Sequence, residues 1–304
     1  MATEPRTHDC PWCGGPARDL LHAGDRNREV TPAKFTYARC VRCRTVFLTQ
    51  PPADLARYYA SDYHGFDADG EPDWKANPLL IESEAFRVGL LVRHVAPGRI
   101  LEIGSGAGGF AVAAKAAGFE LTAIEMDPNC CDHLRRKVGV AAICTDDPVT
   151  ALATLEPAAV VALWHVLEHM PDPDAVFRAA AAKLAPGGLL ALGVPNPASL
   201  QFRLLRRRWP HLDAPRHVSL IPAAALIARA GDLGLRCVEL LADDPFGRHS
   251  NMFGWAYALR RRPARGPTPG PLIAAAQLLT RLLEPLERRP SLGAAITIVL
   301  RKDG

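Results

Sequence analysis

The run Ile100-Leu-Glu-Ile-Gly-Ser-Gly-Ala-Gly-Gly-Phe110 constrains this chain more than any other. An apolar, β-forming stretch ends in a cluster of glycines, and the Ala-rich stretch from Phe110 to Ala117 has helix-forming composition. Gly104, Gly106 and Gly108 let the backbone turn sharply and approach a ligand with no Cβ in the way. The helix then turns its unsatisfied N–H groups, with their partial positive charge, toward whatever lies over the loop. Glu125 stands near the end of the next apolar run, Leu121 to Met126. An acid there can take both hydroxyls of a ribose. Strand, loop, helix, strand and acid together predict a nucleoside site in an α/β fold.

Two cofactor classes fit the loop alone. Gly104, Gly106 and Gly109 satisfy the Gly-x-Gly-x-x-Gly dinucleotide fingerprint, a weak signal when it stands alone. Glu102, two residues ahead of Gly104, favours another reading. A carboxylate makes sense beside the ammonium of S-adenosylmethionine and little sense beside a pyrophosphate. The pattern resembles motif I of the class I S-adenosylmethionine-dependent methyltransferases.

Cys10-Pro-Trp-Cys13 and Cys40-Val-Arg-Cys43 form two Cys-x-x-Cys knuckles. Each offers two thiolates from one tight turn, and two such turns complete a closed tetrahedral zinc shell, which predicts a structural zinc. A module of about fifty residues buries little core, so metal would supply folding free energy of order 10 kcal/mol. The other four cysteines, Cys130, Cys131, Cys144 and Cys237, read as small core or surface residues. The N-terminus is polar and lacks a signal-peptide pattern, and no apolar stretch reaches the roughly 18 residues of a membrane span. A cytoplasmic protein is the expectation, in which paired cysteines mean metal or free thiols rather than disulfides. The net charge of +4 is too mild to argue for nucleic acid.

From Pro51 to Trp74 the chain is rich in Tyr, Asp and Pro, including Tyr58-Tyr59 and Asp62-Tyr63-His64, and reads as a linker or as a flap over the cofactor. Helical periodicity spans Leu79 to Val95. Strands near 99–104, 120–126, 140–144, 158–165 and 188–194 then alternate with helices near 109–117, 128–138, 148–155 and 172–185, which predicts a parallel sheet. Asp172 and Pro173 mark a helix start, and Leu184-Ala-Pro-Gly-Gly188 its close. Asp146-Asp147 follows the third strand, where a side chain could meet an adenine amino group. The runs Leu235–Leu241 and Ala294–Leu300 should pair and finish a seven-stranded sheet. Arg203, Arg206, Arg207 and Arg208, then Arg260 to Arg265, form two basic runs. Leu272 to Leu283 is amphipathic and reads as a core or dimer helix ahead of a membrane-surface helix.

The fourth strand runs into Trp164-His-Val-Leu-Glu-His169-Met-Pro-Asp-Pro173. This segment is similar to the post-strand-four segment of many small-molecule methyltransferases, including the ubiquinone-biosynthesis type. The two knuckles, Phe47-Leu, Pro51-Pro and the Tyr-Tyr segment look like methyltransferases with an N-terminal zinc module. The stretch His211-Leu-Asp-Ala-Pro-Arg-His217 resembles the region of sugar C-methyltransferases that supplies a catalytic histidine. One departure is Ala158-Ala159, where family members carry an Asp at the start of strand four.

The resemblance implies a seven-stranded Rossmann-like sheet with helices on both faces plus a small zinc ribbon. The domain expectation is a zinc module over 1–50, a linker, flap and helix over 51–96, and a methyltransferase domain over 97–304. It implies S-adenosylmethionine held by Glu102, Gly104, Ser105, Gly106, Gly108, Glu125, Met126, Asp146, Trp164 and His165. Zinc would be held by Cys10, Cys13, Cys40 and Cys43. Methyl transfer to oxygen or carbon of a small molecule needs a base, and His217, His165 and His169 are the candidates, each of which also reads as a structural histidine. Rival readings are an RNA methyltransferase, favoured by the arginine runs, and a non-catalytic zinc-ribbon interaction protein with a vestigial fold. A homodimer is a further expectation.

Overall fold

In the computed structural model, which describes residues 7–59, 66, 72–260 and 270–304, the chain opens with four antiparallel strands. These are β1 (Thr7–Asp9), β2 (Pro16–Gly24), β3 (Lys34–Cys40) and β4 (Val46–Leu48). Helix α1 (Pro78–Val92) leads into the alternation β5 (Arg99–Ile103), α2 (Gly109–Ala116), β6 (Glu120–Glu125), α3 (Pro128–His133), β7 (Ala141–Cys144), α4 (Pro148–Thr154), β8 (Ala158–Trp164), α5 (Pro173–Ala182) and β9 (Leu184–Pro195). Next come α6 (Leu200–Leu205), β10 (Ser219–Leu220), α7 (Ala223–Asp232), β11 (Leu235–Leu241), α8 (Pro245–Leu259), α9 (Gly270–Glu287) and β12 (Ala295–Lys302).

The predicted seven-stranded sheet is present, in the order β11-β12-β9-β8-β5-β6-β7. β5 through β9 pair in parallel, and β12 inserts antiparallel between β9 and β11. Aspartates start three of the crossover helices. Asp127, Asp147 and Asp172 each accept backbone N–H groups of the first turn and are each followed by Pro, satisfying donors that would otherwise lack partners. The helix predicted over 128–138 is α3 followed by a π turn, Leu134–Val138, ending at left-handed Gly139. The segment expected to close the helix predicted over 172–185 belongs to β9 from Leu184 onward, α5 having ended at Ala182.

Side-chain alternation along the strands builds a core on each face. Leu101, Ile103, Val161 and Leu163 point to one side, toward Phe177 and Leu226. Ile100, Val160, Ala162 and Trp164 point to the other, toward Leu90 and Phe110. Glu102 falls on the face of Ile100 and Trp164.

The cysteine-bearing sheet is joined to this body at several places, among them a shared strand and a tryptophan contact. Its fifth strand is β10, which pairs antiparallel with β4 through Ser219–Phe47 and Leu220–Val46. Trp12 packs edge-on against Phe177 of α5 at 5.2 Å and donates its indole N–H to the carbonyl of Ala225 in α7 at 3.3 Å. Tyr58 of the expected flap is buried, with its ring against Phe35 at 6.1 Å. Asp62, Tyr63 and His64 of that flap, and Arg261, Arg262 and Arg265 of the second basic run, lie outside the described residues. α9 lies along α8. Ala276 and Glu287 are buried while Leu278 and Leu282 are exposed, so the core expectation holds for one face of that helix. Among the described residues, no helix is long and apolar enough to cross a membrane.

Candidate active site

The chain reverses its order at the β5–β8 pair, and a cleft of about 570 Å³ opens over the carboxyl ends of these strands, where an open α/β sheet places its ligands. Its glycine loop is fixed by sterics. Gly104 sits at φ 72°, and a Cβ there would lie 2.4 Å from Cγ2 of Val166. Gly108, at φ 80°, is the residue from which α2 starts. No other residue fits both the dihedral and the space at Gly104.

Glu102 lies buried at the end of β5, and its Oε2 has no hydrogen-bond partner. Burial pushes its carboxyl up to about 8 against the Ser105 hydroxyl and the Arg87 charge, which pull it down, while the charges of Glu84 and Glu125 add to the rise. Trp164 Nε1 is also buried without a partner. Two such atoms beside one loop mark a place shaped for a polar ligand, since buried polar groups are otherwise paired. Arg87 stacks over Trp164 at 4.6 Å and pairs with Glu84 at 2.8 Å.

Glu125 plays a wider part than a ribose acceptor. Its Oε2 accepts from Gly106 N at 2.8 Å, and its Oε1 accepts from the backbone N–H of Met126 at 2.7 Å and Asp127 at 2.9 Å. The carboxylate thus ties the glycine loop to the end of β6, and its remaining lone pairs face the cleft it lines. Gly104, Gly106, Met126, Asp146, Trp164 and His165 line the same cleft. Asp147 instead caps α4. Glu102, Ser105 and Gly108 shape the loop without lining the cleft.

On the acceptor side, His165 adopts φ 59° at the end of β8. Its ring lies 4.1 Å from that of Phe246, and its Nδ1 is 3.5 Å from Oε1 of buried Glu168. His169 also lines the cleft. Its Nδ1 is 2.8 Å from the Tyr59 hydroxyl and 3.1 Å from the Arg216 carbonyl oxygen. Burial lowers the His169 imidazole to about 4, helped by the neighbouring His217. His217 stands one layer back, with its ring edge-on to His169 at 4.6 Å and its Nδ1 donating to the carbonyl of His211 at 2.8 Å. Of the three candidate bases, His165 and His169 face the cleft, whereas His217 reaches it through His169. Glu168 supports the group. One of its oxygens and a ring nitrogen from each of His169 and His217 lie within 4.8 Å of one another. Burial alone would raise the Glu168 carboxyl, but the contact with His165 and the charges of His217 and His169 hold it below the ordinary range.

Tyr59, read in the sequence only as part of a linker or flap, lines the cleft, while Glu168, Phe246 and Arg87 were given no role by the sequence reading. Of these three, only Glu168 left a signal there, as the acid between two candidate histidines.

The four knuckle cysteines converge. Sγ of Cys10 and Cys43 are 3.6 Å apart, those of Cys13 and Cys40 are 3.5 Å apart, and all four lie within 4.8 Å of one another. A tetrahedron of thiolates about 2.3 Å from a zinc ion has edges of about 3.8 Å, so this donor set fits that shell closely.

Residues 82–240 match the sequence model of a methyltransferase domain. Over 159 residues the chain is 33% identical to a ubiquinone biosynthesis O-methyltransferase of Xanthomonas campestris pv. campestris, a match covering 50% of this chain and 64% of that relative. A protein of the same name from Xanthomonas euvesicatoria pv. vesicatoria is 31% identical over the same span. The chain therefore spans less than two thirds of these relatives' own length. A putative sarcosine dimethylglycine methyltransferase from Galdieria sulphuraria superposes with a TM-score of 0.52 at 16% identity, covering 82% of this chain and 98% of that one. An O-methyltransferase family protein from Burkholderia thailandensis also gives 0.52, at 14% identity, covering 84% and 65%. At such identities these structures speak for the fold alone. With the matched segment running from within α1 into β11 and holding all of the cleft lining except Ala56 and Tyr59, the chain belongs to the methyltransferase-domain family.

Proposed function

We propose that the protein transfers a methyl group from S-adenosylmethionine to an oxygen or carbon of a small-molecule acceptor. The observation that carries this reading is Glu102, a buried carboxyl beside the glycine loop whose Oε2 is left without a hydrogen bond. An ammonium complements it, and a pyrophosphate would repel it. In this reading Glu125 and the loop hold the ribose, Asp146 meets the adenine amino group, and Trp164 covers the methionine arm. S-adenosylmethionine, when bound, supplies a methyl carbon activated by a sulfonium cation, so the protein has to place an acceptor in line and take its proton. His165 is the base in this proposal. Glu168 orients its ring through Nδ1 and stabilises the imidazolium formed on proton transfer, while His169, Tyr59 and His217 complete the wall. That the curated relatives bear the name O-methyltransferase favours a hydroxyl acceptor. Of the arginines behind the RNA reading, Arg208 is occupied with the carbonyls of Ala258 and Arg260.

Calorimetric titration tests the cofactor half. S-adenosylmethionine and S-adenosylhomocysteine should bind and NAD should not compete; competition by NAD would overturn the assignment. The raised Glu102 carboxyl adds a signature. Below pH 8 the free site holds a proton that an incoming ammonium must expel. Affinity should therefore rise between about pH 6 and 8, by up to tenfold per unit, with proton release visible in buffers of different ionisation enthalpy. Glu102→Gln should bind more weakly and lose the pH dependence.

The cysteine cluster is assigned a structural zinc, four protein thiolates leaving no open position. Metal analysis of protein purified without chelator should return about one zinc per chain, and Cys40→Ser should lose it. Cys40 is buried in the same core as Trp12 and Phe177, so this variant should also melt earlier. Metal-free wild-type protein with an unchanged melting temperature would refute the assignment.

A further inference from the structure

Helix α1 carries a buried cation that the protein itself leaves mostly unused. Arg87 is 7% exposed, and its guanidinium gives one N–H to the protein, Nη1 donating to Oε1 of Glu84 at 2.8 Å. Its other N–H groups meet no acceptor among the described residues. The group is held in place all the same, 4.6 Å from the centre of the Trp164 ring and 5.2 Å from that of Phe246. Burying an arginine carries a desolvation cost that a single carboxylate contact offsets only in part. A guanidinium fixed against two rings with free donors is suited to a second, planar oxyanion.

The surroundings of Arg87 say which oxyanion. Trp164 lines the glycine-loop cleft. Glu84 lies over the start of α2, where a Cβ on Gly109 would be 3.4 Å from its Cγ. The charges of Glu84 and Arg87 both reach Glu102, the first raising its carboxyl and the second lowering it. Helix α1 thus lays an acid and a cation over the corner where the ammonium of S-adenosylmethionine sits in the proposed function. That ammonium shares its carbon with a carboxylate. Seated near Glu84 and Glu102, the carboxylate would face two acids in a place of low dielectric, a repulsion that a neighbouring cation has to offset. Oε2 of Glu84 and Oε2 of Glu102 are both buried without hydrogen bonds. The corner therefore offers acceptors to an ammonium and donors to a carboxylate side by side. We propose that Arg87 binds the carboxylate of the cofactor's methionine arm, an assignment that rests on the S-adenosylmethionine reading. Phe246 touches both Arg87 and the His165 ring, the latter at 4.1 Å, so the same guanidinium backs the wall that holds the candidate base.

A ligand series read by calorimetry tests this on the full chain. Arg87→Met keeps much of the side chain's length and apolar contact, and should bind S-adenosylhomocysteine about 10–100-fold more weakly than wild type. Its affinity for methylthioadenosine, which has the adenine, ribose and sulfur but no amino-acid arm, should stay within about twofold of wild type. Decarboxylated S-adenosylhomocysteine closes the cycle. Wild type should prefer the parent compound to it by about 10–100-fold, and Arg87→Met should lose that preference. The wild-type preference is read without the variant and does not depend on its folding. Equal weakening of all three ligands in Arg87→Met would overturn the proposal, since Arg87 would then act by shaping the cleft. So would wild type that binds all three with no preference for the carboxylate, which leaves the cofactor reading intact. Wild type that binds none of the three would sink the cofactor reading and this assignment together.

Discussion

His165→Asn should lower turnover on the accepted acceptor by about 10²–10⁴, the usual worth of a positioned general base, with cofactor affinity almost unchanged. Asparagine is the right replacement for a backbone reason. His165 sits at φ 59°, a left-handed conformation that Asn adopts more readily than most residues. The variant thus removes the titratable nitrogen while keeping the turn at the end of β8. The loss should fall on kcat, since the imidazole acts on a proton that moves only during transfer. Glu168→Gln should lower kcat as well, because an amide at the Glu168 position cannot stabilise an imidazolium as a carboxylate does. Normal turnover in His165→Asn, together with a loss in His217→Asn, would move the base one layer back and make His169 its route to the cleft.

The parts of this site that were legible in the sequence are those set by local backbone demands. Gly104 declares itself because its dihedral and the closeness of Val166 admit no side chain. The Asp172-Pro173 start of α5 is legible because a cap acts within three residues, and the same Asp-Pro pair starts α3 and α4, where the reading did not use it. The β11–β12 pairing follows from two apolar runs that had to finish the sheet. What the sequence hid depends on distant partners. Glu168 looks like a solvated acid in a turn, and only the fold brings His217 up to it. β10 is two residues long and carries no period, so its capture by the cysteine sheet left no trace in the pattern. Tyr59 and Tyr58 read alike, yet one reaches His169 and the other is buried on Phe35. The face of α9 that meets α8 was likewise undetermined, since leucines occur on both sides of the helix.

Arg216→Met should destabilise the protein by about 3–5 kcal/mol, the cost of breaking a buried ion pair from one side. Arg216 is completely buried and joins three segments. It donates to Asp25 of the N-terminal module at 2.7 Å, to both oxygens of Asp213 at 2.9 and 2.7 Å, and to the carbonyl of Tyr58 at 3.3 Å. Burial opposes its charge, but the two carboxylates hold it above the ordinary arginine range. Asp213 shows the reciprocal effect. Burial would raise its carboxyl, and the hydrogen bond and charge of Arg216 bring it below its usual value. A carboxylate depressed in the folded state stabilises above its unfolded pKa and loses that contribution as pH falls through the folded value. Without Arg216 the Asp213 carboxyl should rise and take up a proton more easily. The stability gap between variant and wild type, measured by urea denaturation, should therefore be widest near pH 7–8 and narrow toward about pH 4. Adding Asp25→Asn and Asp213→Asn to Arg216→Met should recover part of the loss, because no buried charge is then left unpaired. A gap that ignores pH and is not relieved in the triple variant would mean that Arg216 acts by filling space. The arrangement would then still position His217, but through packing rather than charge.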